Sequence, residues 1–326
     1  MNTLIALSIG IIIGATANYL FLNRIYRRKL AKLERVIERY QVESTDIRDV
    51  PVDSVLNLKV EPITQGNRSV SGNIIKTSVV EVDNTELQEF LKTRGIQIKR
   101  IPPRQECDDI LDRLAMFMGN RYNSIEKLYA RIKSSMDRGY SFTIDLKNLP
   151  QEQIANICQL ANRLHDLAFL EEYRYQKSPH FILSAKPSRN PKALSFFSGQ
   201  WLERFVKDRT IEAIRKTHLE LQYSYLLNPQ ITLPNGDDFE LDAIFKIGND
   251  IFWFEAKTGN YQRYLEKYAK ISAILGLDRE HAFMILTDIS ETSAQELSSL
   301  FQMKVVNIES FVEHLDRDFK KLRPVS

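Results

Sequence analysis

Gly248-Asn249 stands between two β-prone runs, Phe239–Ile247 and Ile251–Ala256, and no other dipeptide constrains the chain as tightly. Glycine at the first central position of a two-residue type II′ turn takes the positive φ that other residues resist, so the pair predicts a tight hairpin. Ile247 then faces Asp250, and counting back along the ladder sets Asp242 opposite Glu255 with both side chains on one face. A three-residue loop without a bulge would send the two carboxylates to opposite faces. Facing carboxylates repel, and a partly buried anion beside another is costly, so a cation belongs between them. Lys257, two residues beyond Glu255, is one candidate, and a divalent ion with oxygen ligands is the other.

An Asp, a gap and a Glu-x-Lys is a short pattern that an ordinary surface ion pair also satisfies. Its setting argues for chemistry. Glu255 follows Ile251-Phe252-Trp253-Phe254, a run suited to a strand covered on both faces, where an acid needs a reason. In such a device Asp242 and Glu255 hold Mg²⁺, the ion polarises a phosphoryl oxygen and activates water, and Lys257 orients that water or offsets charge on phosphorus. Zinc chemistry has little to work with. His165, His180, His218, His281 and His314 are scattered without an HExxH pair, and Cys107 and Cys158 lie outside any zinc spacing.

Around this hairpin the pattern predicts an α/β domain over 193–326. A helix is expected at Phe196–Lys216 and strands at Leu219–Leu226, Phe239–Ile247 and Ile251–Ala256. A helix at Tyr261–Leu275, a strand at Ala282–Thr287, a helix at Thr292–Leu300, a strand at Lys304–Val306 and a last helix from Ile308 follow.

Gly199-Gln200-Trp201-Leu202-Glu203, Glu240-Leu241-Asp242 and Phe254-Glu255-Ala256-Lys257-Thr258-Gly259 together resemble the PD-(D/E)XK nuclease superfamily. Within it they are most similar to the nuclease domain of CRISPR-associated, cyclic-oligoadenylate-activated nucleases that carry a CARF sensor. The resemblance implies a restriction-endonuclease-like αβββαβ core and a metal-dependent nuclease using Mg²⁺ or Mn²⁺. Asp242 and Glu255 would be metal ligands, Lys257 the catalytic lysine, and Glu203 either the upstream acid completing the metal shell or a solvated helix glutamate. Glu240 would act indirectly. Gln262, Lys267 and Tyr268 would approach the nucleic acid, or be ordinary helix residues. DNA is expected as substrate in preference to RNA, in defence against foreign nucleic acid, although the superfamily cuts single- and double-stranded DNA and RNA on one scaffold. No CARF-like domain is legible before the nuclease, so activation by a cyclic oligonucleotide is not implied.

Residues 105–192 read as three amphipathic helices followed by a hairpin, Phe169–Tyr175 and Phe181–Ala185, the order of a small winged-helix-like domain. Lys186, Arg189 and Lys192 are candidates for nucleic-acid phosphates. The alternative is a bundle that mediates protein contacts or positions the next domain, because its third helix mixes Arg163 with Glu152 and Asp166. A net charge of +3 is too small for the whole chain to coat nucleic acid.

Leu4–Leu22 carries no charged side chain and matches the length of a transmembrane helix. Arg24, Arg27, Arg28, Lys29 and Lys32 follow it, which predicts a single-pass membrane protein with its amino terminus outside and its nuclease domain cytoplasmic. Gly10 and Gly14 form a GxxxG that would support a homodimer, or simply reflect how common glycine is in membrane helices. The span and its basic juxtamembrane helix are expected over 1–41. A flexible linker is expected over 42–104, interrupted by a short helix at Thr85–Thr93 and by Ile96-Gln97-Ile98. The rival to a nuclease is a non-enzymatic, membrane-anchored nucleic-acid- or protein-binding module on a nuclease-like fold. Retention of Asp242, Glu255 and Lys257 together argues against it.

Overall fold

Aromatic residues in alternation build the centre of the molecule. The computed structural model describes residues 83–217 and 222–322. In it, strand β9 (Asp250–Lys257) is the middle member of a five-stranded sheet ordered β11-β10-β9-β8-β5. Its neighbours are β8 (Ala243–Ile247) and β10 (Ala282–Leu286), and the edges are β5 (Tyr223–Leu227) and β11 (Lys304–Asn307). Strands β5, β8 and β9 run antiparallel, whereas β10 and β11 are parallel to β9. Phe252 and Phe254 enter one core with Phe245 and Phe283, and Trp253 enters a second with Ile244 and Met284. The central strand is therefore covered on both sides, as its unbroken apolar run requires.

The hairpin register is the expected one: Ile247 pairs with Asp250 and Ala243 with Phe254, and Gly248 takes φ +58°. The strand expected at Phe239–Ile247 is instead broken at Leu241-Asp242. Its first part, β7 (Asp238–Glu240), joins a separate sheet ordered β1-β6-β7 with β1 (Gln97–Arg100) and β6 (Gln230–Thr232). Strands β6 and β7 close through Leu233-Pro234-Asn235-Gly236-Asp237, with Gly236 at φ +88°. Asn235-Gly236 is a turn signal of the same kind as Gly248-Asn249.

The stretch expected as linker is packed structure from residue 83 onward. Helix α1 (Thr85–Thr93) buries Leu87 and Leu91 completely, and Arg94 donates to the Leu275 carbonyl at 2.6 Å. Strand β1 then pairs with β6.

Residues 108–187 form α2 (Asp108–Gly119), α3 (Tyr122–Met136), β2 (Phe142–Asp145), α4 (Gln151–Asp166), β3 (Leu170–Gln176) and β4 (Ile182–Pro187). The expected hairpin is a three-stranded antiparallel sheet ordered β2-β4-β3, because Phe142–Asp145 pairs with β4. The boundary expected at 192/193 does not separate two cores. One apolar cluster runs from Leu111 to Phe319, and the described residues belong to one compact unit. Helix α5 (Pro191–Ser195) and a π-helical turn (Phe196–Gln200) lead into α6 (Trp201–Thr217). There Arg204 and Lys207 meet Asp112 of α2 at 2.6 and 2.7 Å, all three buried.

Beyond β9, a 3₁₀ turn (Gln262–Tyr264) precedes α7 (Leu265–Leu275), and α8 (Glu291–Phe301) and α9 (Phe311–Phe319) complete the fold. The expected span at 4–22, its GxxxG and the helix to residue 41 lie outside the described residues. Among the described residues no helix is long and apolar enough to cross a membrane.

Candidate active site

The break at Asp242 places its carboxylate where the next strand can use it. Asp242 accepts the backbone N–H of Ala256 at 2.8 Å, and its own carbonyl accepts the backbone N–H of Asn228 at 3.0 Å. Glu255 and Lys257 flank Ala256 and share the face of Trp253, toward α7. Lys257 Nζ lies 2.7 Å from Glu255 Oε1 and 3.2 Å from Asp242 Oδ2, so the ammonium joins the two carboxylates. Asp242 is 5% exposed and Glu255 1%.

This burial governs the charges. Desolvation first, and the Asp242 charge second, push the Glu255 carboxyl up to about 8. The same two causes push Glu203 up to about 8. Burial also raises Asp242, against the pull of Lys257. For Lys257 burial acts downward, but the Glu255 and Asp242 charges outweigh it and hold the amine protonated well above its ordinary range.

Asp242, Glu255 and Lys257 are thus brought into direct contact. Glu203, on the first turn of α6, feels the charges of Asp242 and Lys257, while its Oε2 accepts from Asn228 Nδ2 at 2.7 Å. Among the described residues, no group of three His, Cys, Asp or Glu side chains stands out as a metal site. Glu240 is exposed and pairs with Gln230.

Glu255 Oε1 is taken by Lys257, and Oε2 is buried with the Tyr268 hydroxyl beside the carboxyl. A donor set made only of carboxylate oxygens suits Mg²⁺ or Mn²⁺, and Mg²⁺ commonly takes just one or two protein carboxylates with water completing its shell. The residues present fit such an ion.

The other candidate residues are placed as follows. Gln262 is exposed, and exposed Lys267 lies 4.8 Å over the Phe239 ring. Tyr268 is 4% exposed with its hydroxyl beside Glu255. Lys186 is paired with Glu171 at 2.8 Å, Lys192 reaches Cys107 Sγ at 3.2 Å, and exposed Arg189 packs its stem toward Gly139.

Two residues unforeseen from sequence also hold the site. Asn228 adopts φ +51° and links Glu203 to Asp242, and its Asn-Pro dipeptide is a recognisable turn signal. Lys133 of α3 donates to Thr258 O at 2.8 Å and Thr258 Oγ1 at 3.1 Å, tying the residue after Lys257 to the three-helix part of the molecule. Nothing local marks Lys133, since its partner is 125 residues away.

No family model matches the chain, and no curated protein matches it. Among solved structures, it is similar to protein VC1899 from Vibrio cholerae, with 18% identity and a TM-score of 0.48. It is also similar to Can2 from Sulfobacillus thermosulfidooxidans in complex with cyclic tetra-adenylate, with 11% identity and a TM-score of 0.47. Each match covers 72% of this chain and 60% of the other, so the chain spans less than two thirds of the length of either. Similarity at this level identifies neither a shared activity nor a shared ligand.

Proposed function

We propose that this chain is a metal-dependent nuclease that hydrolyses phosphodiester bonds of nucleic acid, DNA in preference to RNA. The observation that carries the reading is the contact of two buried carboxyl groups, Glu255 and Asp242, with the single ammonium of Lys257 at 2.7 and 3.2 Å. Two acids buried side by side incur desolvation and mutual repulsion that a single structural ion pair would not.

Asp242 and Glu255 would hold Mg²⁺ or Mn²⁺, with Glu203 nearby. When bound, such an ion polarises a phosphoryl oxygen and lowers the pKa of water. Lys257 remains protonated in this setting and offsets the negative charge that develops on the phosphoryl oxygens. The Ala256 N–H and the Asn228 N–H fix Asp242 by its side chain and its backbone, so the carboxylate needs no reorganisation when substrate arrives.

Three further parts of the reading concern the rest of the chain. The α-α-β-α-β-β order and β2-β4-β3 sheet of residues 108–187 support a winged-helix-like accessory part. The charge-free run at 4–22, followed by basic residues, supports a membrane anchor with the nuclease on the cytoplasmic side. Gly10 and Gly14 within that run support a homodimer.

The test is incubation of the full-length chain with plasmid, single-stranded DNA and RNA in Mn²⁺. Cleavage is expected for the native sequence and a loss of at least about 100-fold for Lys257→Ala. Equal residual cleavage in both would sink the reading. The second reading is a binding module without activity on the same fold. Calorimetric titration with Mn²⁺ separates the two: heat of binding that disappears in Asp242→Ala supports the nuclease, and no heat supports the module.

A further inference from the structure

We propose that Tyr264 and Arg263 form a stacking platform for an unpaired nucleobase, so that the strand entering the site is single-stranded. The proposal rests on the nuclease reading for what the neighbouring carboxylates do.

A chain of contacts leads outward from the catalytic lysine. Lys257 Nζ lies 5.6 Å from the centroid of the Tyr268 ring. Tyr268 and Tyr264 stack at 5.8 Å with 24° between their planes. The Arg263 guanidinium carbon lies 4.6 Å over Tyr264. Tyr268 is buried, Tyr264 half-buried and Arg263 exposed, so the series opens to solvent at a planar cation. Core packing accounts for Tyr268 but gives no reason for a guanidinium at the outer end.

The flanks carry the same combination. Lys267 sits over Phe239, whose ring meets Tyr268 at 6.1 Å and 67°. From Gln262 to Lys270 there are three basic residues, Arg263, Lys267 and Lys270, against Glu266 alone. None of the three is paired with a carboxylate among the described residues. Arg263 and Lys267 rest instead on aromatic rings, which leaves their charge available to a polyanion.

Rings interleaved with cations are the device by which single strands are held. Each base has a π-face that can stack on an aromatic ring or a guanidinium plane, whatever its sequence. Bases in a duplex have those faces covered by their neighbours, so a duplex would use only the charges. The platform is joined to Lys257 through the Tyr268 ring, so a base stacked on its outer end would belong to the same strand as the phosphate presented to the carboxylates.

The test is fluorescence anisotropy on the full-length chain in EDTA, where hydrolysis does not intervene. The probes are a short single-stranded DNA, an RNA of the same sequence, an abasic DNA strand of equal length and a blunt duplex. The native chain is expected to bind both base-bearing strands more tightly than the abasic strand. Tyr264→Ala should weaken base-bearing strands by about 5- to 100-fold and leave the abasic strand and duplex nearly unchanged, whereas Arg263→Ala should weaken base-bearing strands more than the abasic strand and duplex, which lose only one charge. Tyr264→Trp should retain the preference. Equal affinity for base-bearing and abasic strands, or an equal loss on every probe in both Ala variants, would overturn the proposal. Arg263 is exposed, so its variant reads the platform even if Tyr264→Ala unfolds. Base preference in EDTA without cleavage in Mn²⁺ would remove the nuclease reading alone, and cleavage without base preference would remove this proposal alone.

Discussion

Asp242 accepts the backbone N–H of Ala256 at 2.8 Å, so a side chain from one strand fills a hydrogen-bonding position on the next. The strand leading to Asp242 stops at Glu240, which pairs in the smaller sheet, and the carboxylate is held against Lys257. Asp242→Ala strands a buried N–H and should cost about 1–3 kcal/mol in urea denaturation. Asp242→Asn keeps an acceptor oxygen and should cost clearly less. Equal losses in the two variants would show that the bond to Ala256 contributes nothing.

How much of this was legible in advance depends on the range of the interaction. Gly248-Asn249 announces its turn through a backbone conformation that few residues tolerate, so the register from Ile247 with Asp250 to Ala243 with Phe254 could be read locally, as could Thr85–Thr93 from its apolar spacing. The break at Asp242 could not. It depends on a bond to Ala256, fourteen residues away, that exists only once the sheet has formed. The merging of 105–192 with the C-terminal part was hidden for the same reason, since Asp112 and Arg204 meet across 92 residues. Glu203 was recognisable as an acid on the right helix, but its partner Asn228 is a matter of tertiary geometry.

The carboxyl of Glu255 should make stability fall as pH rises. Unfolded it titrates near 4.5, whereas burial and the Asp242 charge raise it to about 8 in the folded chain. Between those values the folded state holds a proton that the unfolded state has released, so stability declines across this window and levels off above it. Without divalent ion, melting temperatures are expected to drop from pH 5 to pH 8, and Glu255→Gln should flatten that slope. Because Mn²⁺ must displace the proton, its affinity should rise over the same interval. A pH-independent Mn²⁺ affinity in calorimetry would contradict this.

Asn228 stands at φ +51°, a conformation that Gly and Asn adopt more readily than Ala, and its amide also holds Glu203. Asn228→Ala should lose about 1–2 kcal/mol from backbone strain in addition to the amide bond. Asn228→Gly loses the amide but not the conformation and should unfold at a higher temperature than the Ala variant. The reverse order in thermal denaturation would mean that the left-handed backbone is not the controlling factor.

Asp112 offers the sharpest test of whether the three-helix part and the sheet behave as one body. Its two oxygens accept from Arg204 at 2.6 Å and Lys207 at 2.7 Å, and all three residues are buried. Asp112→Ala leaves two buried cations short of a partner, although Arg204 keeps Asp108 and Lys207 keeps Asp208. Breaking a buried pair from one side costs about 3–5 kcal/mol, and those remaining partners place the expectation at the lower end. Since α2 and α6 also share an apolar cluster running from Leu111 to Phe319, the loss should shift a single calorimetric transition downward as a whole. Two separated transitions, only one of them moved by Asp112→Ala, would mean that the ion cluster stabilises one part without coupling it to the five-stranded sheet.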